Sequence, residues 1–105
     1  MENEKKIQEL QIIEQNLRNL LLQKQTFQAR LMENENALQE LKDNQKQAYR
    51  IIGNIMIAED NKNLEKDLNE EKSILDLRIR NIEKQENIIK EKVKKLQEEV
   101  MKTMK

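Results

Sequence analysis

The side chains that could do chemistry in this 105-residue chain are carboxylates and lysines, because the sequence contains no His and no Cys. Histidine is the usual general base at neutral pH and the commonest zinc ligand, and cysteine supplies thiolate nucleophiles and metal ligands. Two adjacent acidic pairs, Glu70-Glu71 and Glu98-Glu99, remain as candidates for acid–base catalysis. Charge runs of this kind are usually solvated faces of helices. We therefore expect no enzymatic activity, no metal site and no cofactor.

A cluster of lysines near the end of the sequence offers candidate nucleic-acid contacts. These are Lys90, Lys92, Lys94, Lys95 and Lys102. Glutamates interrupt the cluster, and the whole chain balances 20 basic against 20 acidic residues. Nucleic-acid binding requires a basic patch or stripe, so we expect no nucleic-acid partner.

Nothing in the sequence predicts a membrane span or a secretory signal. The longest apolar stretch, residues 51–58, is interrupted by Gly53 and Asn54. It is far shorter than the ~18 apolar residues that a membrane span needs. The charged residues 1–6 lack the apolar core of a signal peptide, and the missing cysteines fit a reducing compartment. We expect a cytoplasmic protein with no membrane contact.

The secondary structure that carries these side chains is predicted to be helical. Charged residues make up 38% of the chain and apolar residues only 36%, with one Gly and no Pro. A chain this short and polar cannot easily bury a compact core of its own, yet it lacks the Pro, Gly and charge imbalance of disordered chains. This composition is typical of long helices or coiled coils.

Two apolar seams with alternating spacings of three and four residues predict a coiled coil. The first contains Leu10, Ile13, Leu17, Leu20, Lys24, Phe27, Leu31, Asn34, Leu38 and Leu41. The second contains Leu68, Lys72, Leu75, Ile79, Ile82, Glu86, Ile89, Val93, Leu96 and Val100. We predict one helix over residues 1–46 and another over 61–103. Asp60 and Asn61 both suit the N-cap of the second helix, and the sequence does not choose between them.

The two seams match each other when the helices run antiparallel. Pairing Leu41 with Leu68 brings the one basic seam residue, Lys24, opposite the one acidic seam residue, Glu86. We interpret this pair as fixing the register, because ion pairs removed from water often add little net stability. Asn34 could serve the same purpose. The alternative is a chance placement of the two charges on a solvated edge.

Between the helices, two short β-branched runs flank Gly53-Asn54 and predict a β-hairpin over residues 49–59. Gly53 occupies the first central position, as a type II′ turn requires. This register pairs Ile52 with Ile55 and Ile51 with Met56, and leaves both faces largely apolar. A lone hairpin is marginal in water, so it needs partners on its faces and edges. The alternative is a helical turn that joins the two helices.

The predicted coiled coil ends in an apolar tip where the two chain termini lie together. Seam residues there are joined by Ile7, Ile12, Met101 and Met104. Methionine is flexible and is favoured on surfaces that bind many partners. The tip could bind apolar segments, or it could be ordinary seam packing with a frayed end.

The hairpin carries a resemblance to a known family. Tyr49-Arg50-Ile51-Ile52-Gly53-Asn54-Ile55-Met56-Ile57 resembles the hairpin of prefoldin subunits, with an aromatic, a basic and two aliphatic positions, Gly, any residue and alternating aliphatics. Helices flank the hairpin as they do in that family. A single hairpin resembles the β type, which comprises the archaeal β subunit and eukaryotic subunit six, because the α type carries two. Asn54 stands where many members have Pro.

The resemblance implies a mainly α fold in one prefoldin-like domain over residues 1–105. In it, a long antiparallel two-helix coiled coil is joined by a β-hairpin that assembles into an intersubunit β-barrel. Oligomerisation would use Tyr49, Ile51, Ile52, Gly53, Ile55, Met56 and Ile57. Client binding would use Ile7, Leu10, Ile13, Leu17, Leu96, Val100, Met101 and Met104.

The partners that the resemblance implies are α-type and other β-type subunits in a hexamer of two α and four β chains. Such a complex would hold unfolded client proteins without nucleotide and deliver them to a group II chaperonin. The alternative is a structural coiled-coil tether without client binding, which would leave the doubly apolar hairpin unexplained.

Overall fold

The computed structural model describes residues 2–43 and 47–103 and contains four elements. Helix α1 spans Glu2–Asp43, strand β1 spans Ala48–Ile52, strand β2 spans Ile55–Glu59, and helix α2 spans Asn61–Thr103. The mainly α fold with a hairpin between two long helices is confirmed. The predicted first helix also included residues 1 and 44–46, which lie outside the described residues.

The predicted seams account for the burial along both helices. Every one of the twenty predicted seam positions is buried or half-buried, whereas most positions between them are exposed. Apolar side chains at these spacings share one stripe of a helix, and removing that stripe from water is the main driving force for the pairing of two helices. The chain divides into two units, residues 1–26 with 79–105 and residues 27–78.

In the first unit, the beginning of α1 packs against the end of α2. Its buried apolar residues are Ile13, Ile79 and Ile82. Ion pairs connect the helices on the outside, among them Lys6 Nζ to Glu99 Oε2 at 3.3 Å and Lys92 Nζ to Glu9 Oε1 at 3.8 Å. Residues early in α1 thus face residues late in α2, as an antiparallel pair requires.

In the second unit, the end of α1 packs against the beginning of α2, and the hairpin joins them. Leu75 is the most buried apolar residue, with 3% of its surface exposed. The Arg78 guanidinium lies 5.5 Å from the centroid of the Phe27 ring, within the range of a cation–π contact. The α1 and α2 segments are again antiparallel: Phe27 contacts Arg78, whereas Glu35, later in α1, has its Oε1 3.8 Å from the Nζ of Lys72, earlier in α2.

The hairpin has the predicted register and turn. Ile52 pairs with Ile55 and Ile51 with Met56 in an antiparallel two-stranded sheet. Gly53 has a φ of 61°, and no other described residue has a positive φ. One positive φ at the first central position is the property of a type II′ turn, which matches the right-handed twist of the strands. The alternative of a helical turn between the helices is wrong.

Asp60 is the N-cap of α2, which resolves the choice that the sequence left open. Its Oδ1 accepts a hydrogen bond from the backbone N–H of Lys62 at 3.2 Å. Its carbonyl oxygen accepts the first helical bond, from the N–H of Leu64 at 3.1 Å. An aspartate in this position satisfies one of the free N–H groups of the first turn. The connection between β2 and α2 is therefore this single residue.

Candidate interaction surfaces

The hairpin exposes apolar side chains on both of its faces. Arg50, Ile52, Ile55 and Ile57 share one face, and Tyr49, Ile51, Met56 and Ala58 share the other. The six large apolar residues of the predicted oligomerisation set are all exposed, from 47% for Ile57 to 70% for Ile51. Gly53, the seventh member, forms the turn. Contiguous exposed apolar surface of this kind marks an interaction site, and both strands also present unpaired edges.

The base of the hairpin is attached to α2 by Arg50. Its Nη2 donates to Glu59 Oε1 on β2 at 3.1 Å and also to Asp67 Oδ2 on α2, while its Nε donates to Glu59 Oε2. The hydrogen bonds to Glu59 and Asp67 raise the pKa of the Arg50 guanidinium above its ordinary value, so it stays charged. We call these three residues the Arg50 clamp.

A groove of about 540 Å³ runs beside β1 within the second unit. The apolar part of its lining comes from both helices and from the strand: Ala37, Leu41, Ala48, Tyr49, Ile51, Leu64 and Leu68. Glu40, Asp67 and Glu71 also line it. Because Tyr49 and Ile51 belong to the exposed hairpin as well, the groove continues the apolar surface of the hairpin onto the helices.

The predicted client-binding residues differ in their exposure. Ile7 and Met101 are exposed, by 43% and 65%. Leu10, Leu17, Leu96 and Val100 are half-buried, and Ile13 is 7% exposed and belongs to the packed seam. Met104 lies outside the described residues. The structure thus places all the described members in one unit but presents only two of them openly to solvent. Ile12, in the same unit, is also exposed, by 63%.

The predicted pair at the middle of the seams is formed. Lys24 Nζ donates to Glu86 Oε1 at 2.8 Å, and Glu86 is only 6% exposed. The hydrogen bond to Glu86, together with the charges of Glu86 and Glu83, raises the pKa of the Lys24 ammonium despite partial desolvation. A buried carboxylate requires such a partner, because an unpaired buried charge is costly. The role of this pair in fixing the register stays a prediction.

Asn34, the other polar seam residue, is buried to 4% exposure, and its Oδ1 has no hydrogen-bond partner among the described residues. An Asn that sets register in a coiled coil does so by pairing with a polar group across the seam. Its register role stays a prediction. A buried amide oxygen without a hydrogen bond is expected to lower the stability of the chain.

Sequence reasoning missed the Arg50 clamp and the groove. Half of the clamp could have been found, since the predicted hairpin register places Arg50 and Glu59 on one face as diagonal neighbours. Asp67 and the groove depend on how the hairpin sits against α2, which no spacing in the sequence reveals.

The described residues hold no group of three or more acidic side chains arranged to bind a metal ion. Over the same ranges, neither helix has a segment long and apolar enough to cross a membrane.

Comparisons with known proteins agree with this architecture. The family described as "Prefoldin subunit" matches residues 4–105. The chain is 36% identical over 92 residues to a prefoldin subunit beta of Saccharolobus islandicus, covering 86% of this chain and 73% of that one. It is 33% identical over 94 residues to a prefoldin subunit beta of Pyrobaculum islandicum, covering 88% and 75%. The crystal structure of the prefoldin beta subunit from Thermococcus strain KS-1 superposes with a TM-score of 0.90 at 24% identity, covering 97% of this chain and 91% of that one.

Proposed function

The chain belongs to the prefoldin family, a family of chaperones and not of enzymes, and from this premise we propose that it is a β-type subunit of a nucleotide-independent holdase. In this role it joins α-type and other β-type subunits in a cytoplasmic hexamer of two α and four β chains. The complex captures non-native proteins and delivers them to a group II chaperonin.

The proposed assembly rests on the hairpin, whose two faces are both apolar and both exposed. A two-stranded sheet is marginally stable in water by itself. Burial of apolar surface contributes about 25 cal/mol per Å² removed from water, so covering both faces strongly favours association. Neighbouring hairpins are suitable partners, because they supply both apolar faces and free strand edges. The resulting arrangement is the intersubunit β-barrel.

Native mass measurements test the assembly. The chain is measured alone and mixed with an α-type prefoldin subunit, and a hexamer is expected only in the mixture. Ile51→Glu, at the most exposed of the large apolar hairpin residues, is expected to prevent the hexamer because it places a charge in the apolar interface. Ile74→Glu is the matched control, since Ile74 is 52% exposed on α2 outside the hairpin. A monomer or simple dimer in both samples would overturn the proposal.

Client capture is supported by the exposed apolar residues of the first unit. Ile7 and Met101 are available in the packed state, whereas Ile13 can reach a client only when the ends of α1 and α2 separate. Helix ends open at low free-energy cost, so both states are accessible. We infer that exposed residues make the first contact and that the half-buried seam residues add surface as the ends open.

An aggregation assay with a chemically unfolded client tests capture. The assembled complex is expected to keep the client soluble at a near-stoichiometric ratio. Ile7→Ser with Met101→Ser is expected to lower this protection, and Ile88→Ser serves as control, since Ile88 is 67% exposed away from the chain ends. A structural tether would show no protection in any variant. Equal protection by the double variant and the control would exclude these two residues as contacts.

A further inference from the structure

The hairpin is joined to α2 by a connection of one residue, Asp60, between the last residue of β2 and the first of α2. Each strand contains five residues, so the hairpin is about 16 Å long at ~3.3 Å per residue. A rotation of about 10° at its base therefore moves the turn by roughly 3 Å. Interfaces as densely packed as protein interiors do not tolerate such a displacement.

We propose that Arg50 is a positioning residue that holds the hairpin in one orientation on α2, so that the assembly surface is presented ready for its partners. Since it concerns that surface, this role of Arg50 rests on the proposed function. Arg50 is suited to this role because its guanidinium connects three elements. Arg50 belongs to β1, and its guanidinium donates to Glu59 on β2 and to Asp67 on α2.

The chemistry of the Arg50 clamp requires arginine. A guanidinium is planar and carries five N–H donors in a rigid fork, so it can bind one carboxylate through two nitrogens and still donate to a second. A lysine ammonium is a compact point charge on a flexible stem and does not reproduce this geometry. The Arg50 side chain is 39% exposed and Asp67 52%, so salt should weaken the clamp.

The Arg50 clamp lies at the boundary between the half-buried base of the hairpin and its exposed apolar part. Ala48 and Glu59, paired at the base, are half-buried, whereas residues 51–58 beyond the clamp are exposed. The clamp therefore fixes the part of the hairpin that meets α2 and leaves the apolar part available to partner subunits.

The test compares Arg50→Met, which removes the charge and keeps an apolar stem, with Arg30→Met, an exposed arginine on α1 outside the clamp. Hydrogen exchange of the hairpin amides is measured in the chain alone, and binding of an α-type prefoldin subunit is measured by titration. Arg50→Met is expected to speed exchange and to weaken binding, each about three-fold or more. Arg50→Lys should recover only part of the loss, and Arg30→Met should match wild type.

The contribution of the contact to α2 is isolated with Asp67→Asn. Alone it should weaken binding and reduce the salt dependence of binding, a readout that general loss of structure would not mimic. Combined with Arg50→Met it should add nothing. Wild-type exchange and binding in Arg50→Met, or additive losses in the double variant, would overturn the role of Arg50. If Arg50→Met lost helical content, the test would rest on the binding and salt dependence of Asp67→Asn, provided that this variant kept full helical content.

Failure of the proposed function is distinguishable from failure of this inference. A wild-type chain that binds no α-type subunit would contradict the proposed assembly. The comparison of hairpin amide exchange between wild type and Arg50→Met would then still test whether Arg50 holds the hairpin on α2.

Discussion

Replacing Asn34 with leucine is expected to stabilise the chain, although it removes a polar residue. Asn34 is 4% exposed, and its Oδ1 has no partner among the described residues. A buried polar atom without a hydrogen bond costs about 1–3 kcal/mol. Leucine has the same branch point and the same number of side-chain heavy atoms as asparagine, but its tetrahedral Cγ and two methyl groups occupy more volume, so tighter packing offsets part of the gain. The unfolding free energy should therefore rise by about 1 kcal/mol, including a few tenths from helix propensity.

The matched control is Asn36→Leu, two residues away on the exposed side of the same helix. It provides the same gain in helix propensity without relieving a buried polar atom. The difference between the two variants isolates the burial effect. Both are measured by urea unfolding followed by circular dichroism and by thermal melting. For a chain of about 100 residues, 1 kcal/mol corresponds to a shift of roughly 4–8 °C in the thermal midpoint.

Equal stabilities of the two variants, or an Asn34→Leu variant less stable than Asn36→Leu, would contradict this expectation, because the amide would then contribute favourably where it lies. An unchanged denaturant slope is also expected, since a unique packed state should persist. A lower slope together with higher stability would instead indicate that Asn34 excludes alternative pairings of the helices, which is the register role that the sequence suggested.

Three further outcomes are expected. Lys24→Met should destabilise the chain more than Glu86→Gln, because it leaves a buried carboxylate unpaired, and Lys24→Met with Glu86→Met should recover most of the loss in urea unfolding. Folding raises the pKa of Lys24 above 10.5, so the contribution of this pair to the unfolding free energy is complete below pH 10.5. That contribution is lost as the pH rises through the pKa of Lys24 in the folded chain. An unfolding free energy that stays constant above this pH would contradict the expectation. Gly53→Ala should lower the stability of the hairpin by about 1–2 kcal/mol, because a φ of 61° is unfavourable for alanine even though no atom lies within 4 Å of the added methyl group. Faster hydrogen exchange of the strand amides would show this loss of stability.

The helices and their pairing follow from local periodicity. Spacings of three and four place side chains on one stripe in any α-helix, so the seam residues are identifiable from the sequence alone. The same arithmetic pairs Lys24 with Glu86, and their ammonium and carboxylate lie 2.8 Å apart. The hairpin is similarly local, because Gly53 permits the positive φ that selects the turn and the turn fixes which residues face each other.

The remaining features needed the three-dimensional structure. The N-cap of α2 is a local choice, but Asp60 and Asn61 are both suitable residue types, and only the backbone shows where the helix begins. The other features depend on groups that come from different elements. The contact from Arg50 to Asp67 depends on the angle between hairpin and helix, and the missing partner of Asn34 depends on what packs around it. The burial of Ile13 also depends on the three-dimensional structure. An isoleucine suits both a binding tip and a packed seam, and the packing of the two helices is what buries Ile13. Sequence periodicity identifies the face on which a side chain lies, whereas the three-dimensional arrangement determines which groups that face meets.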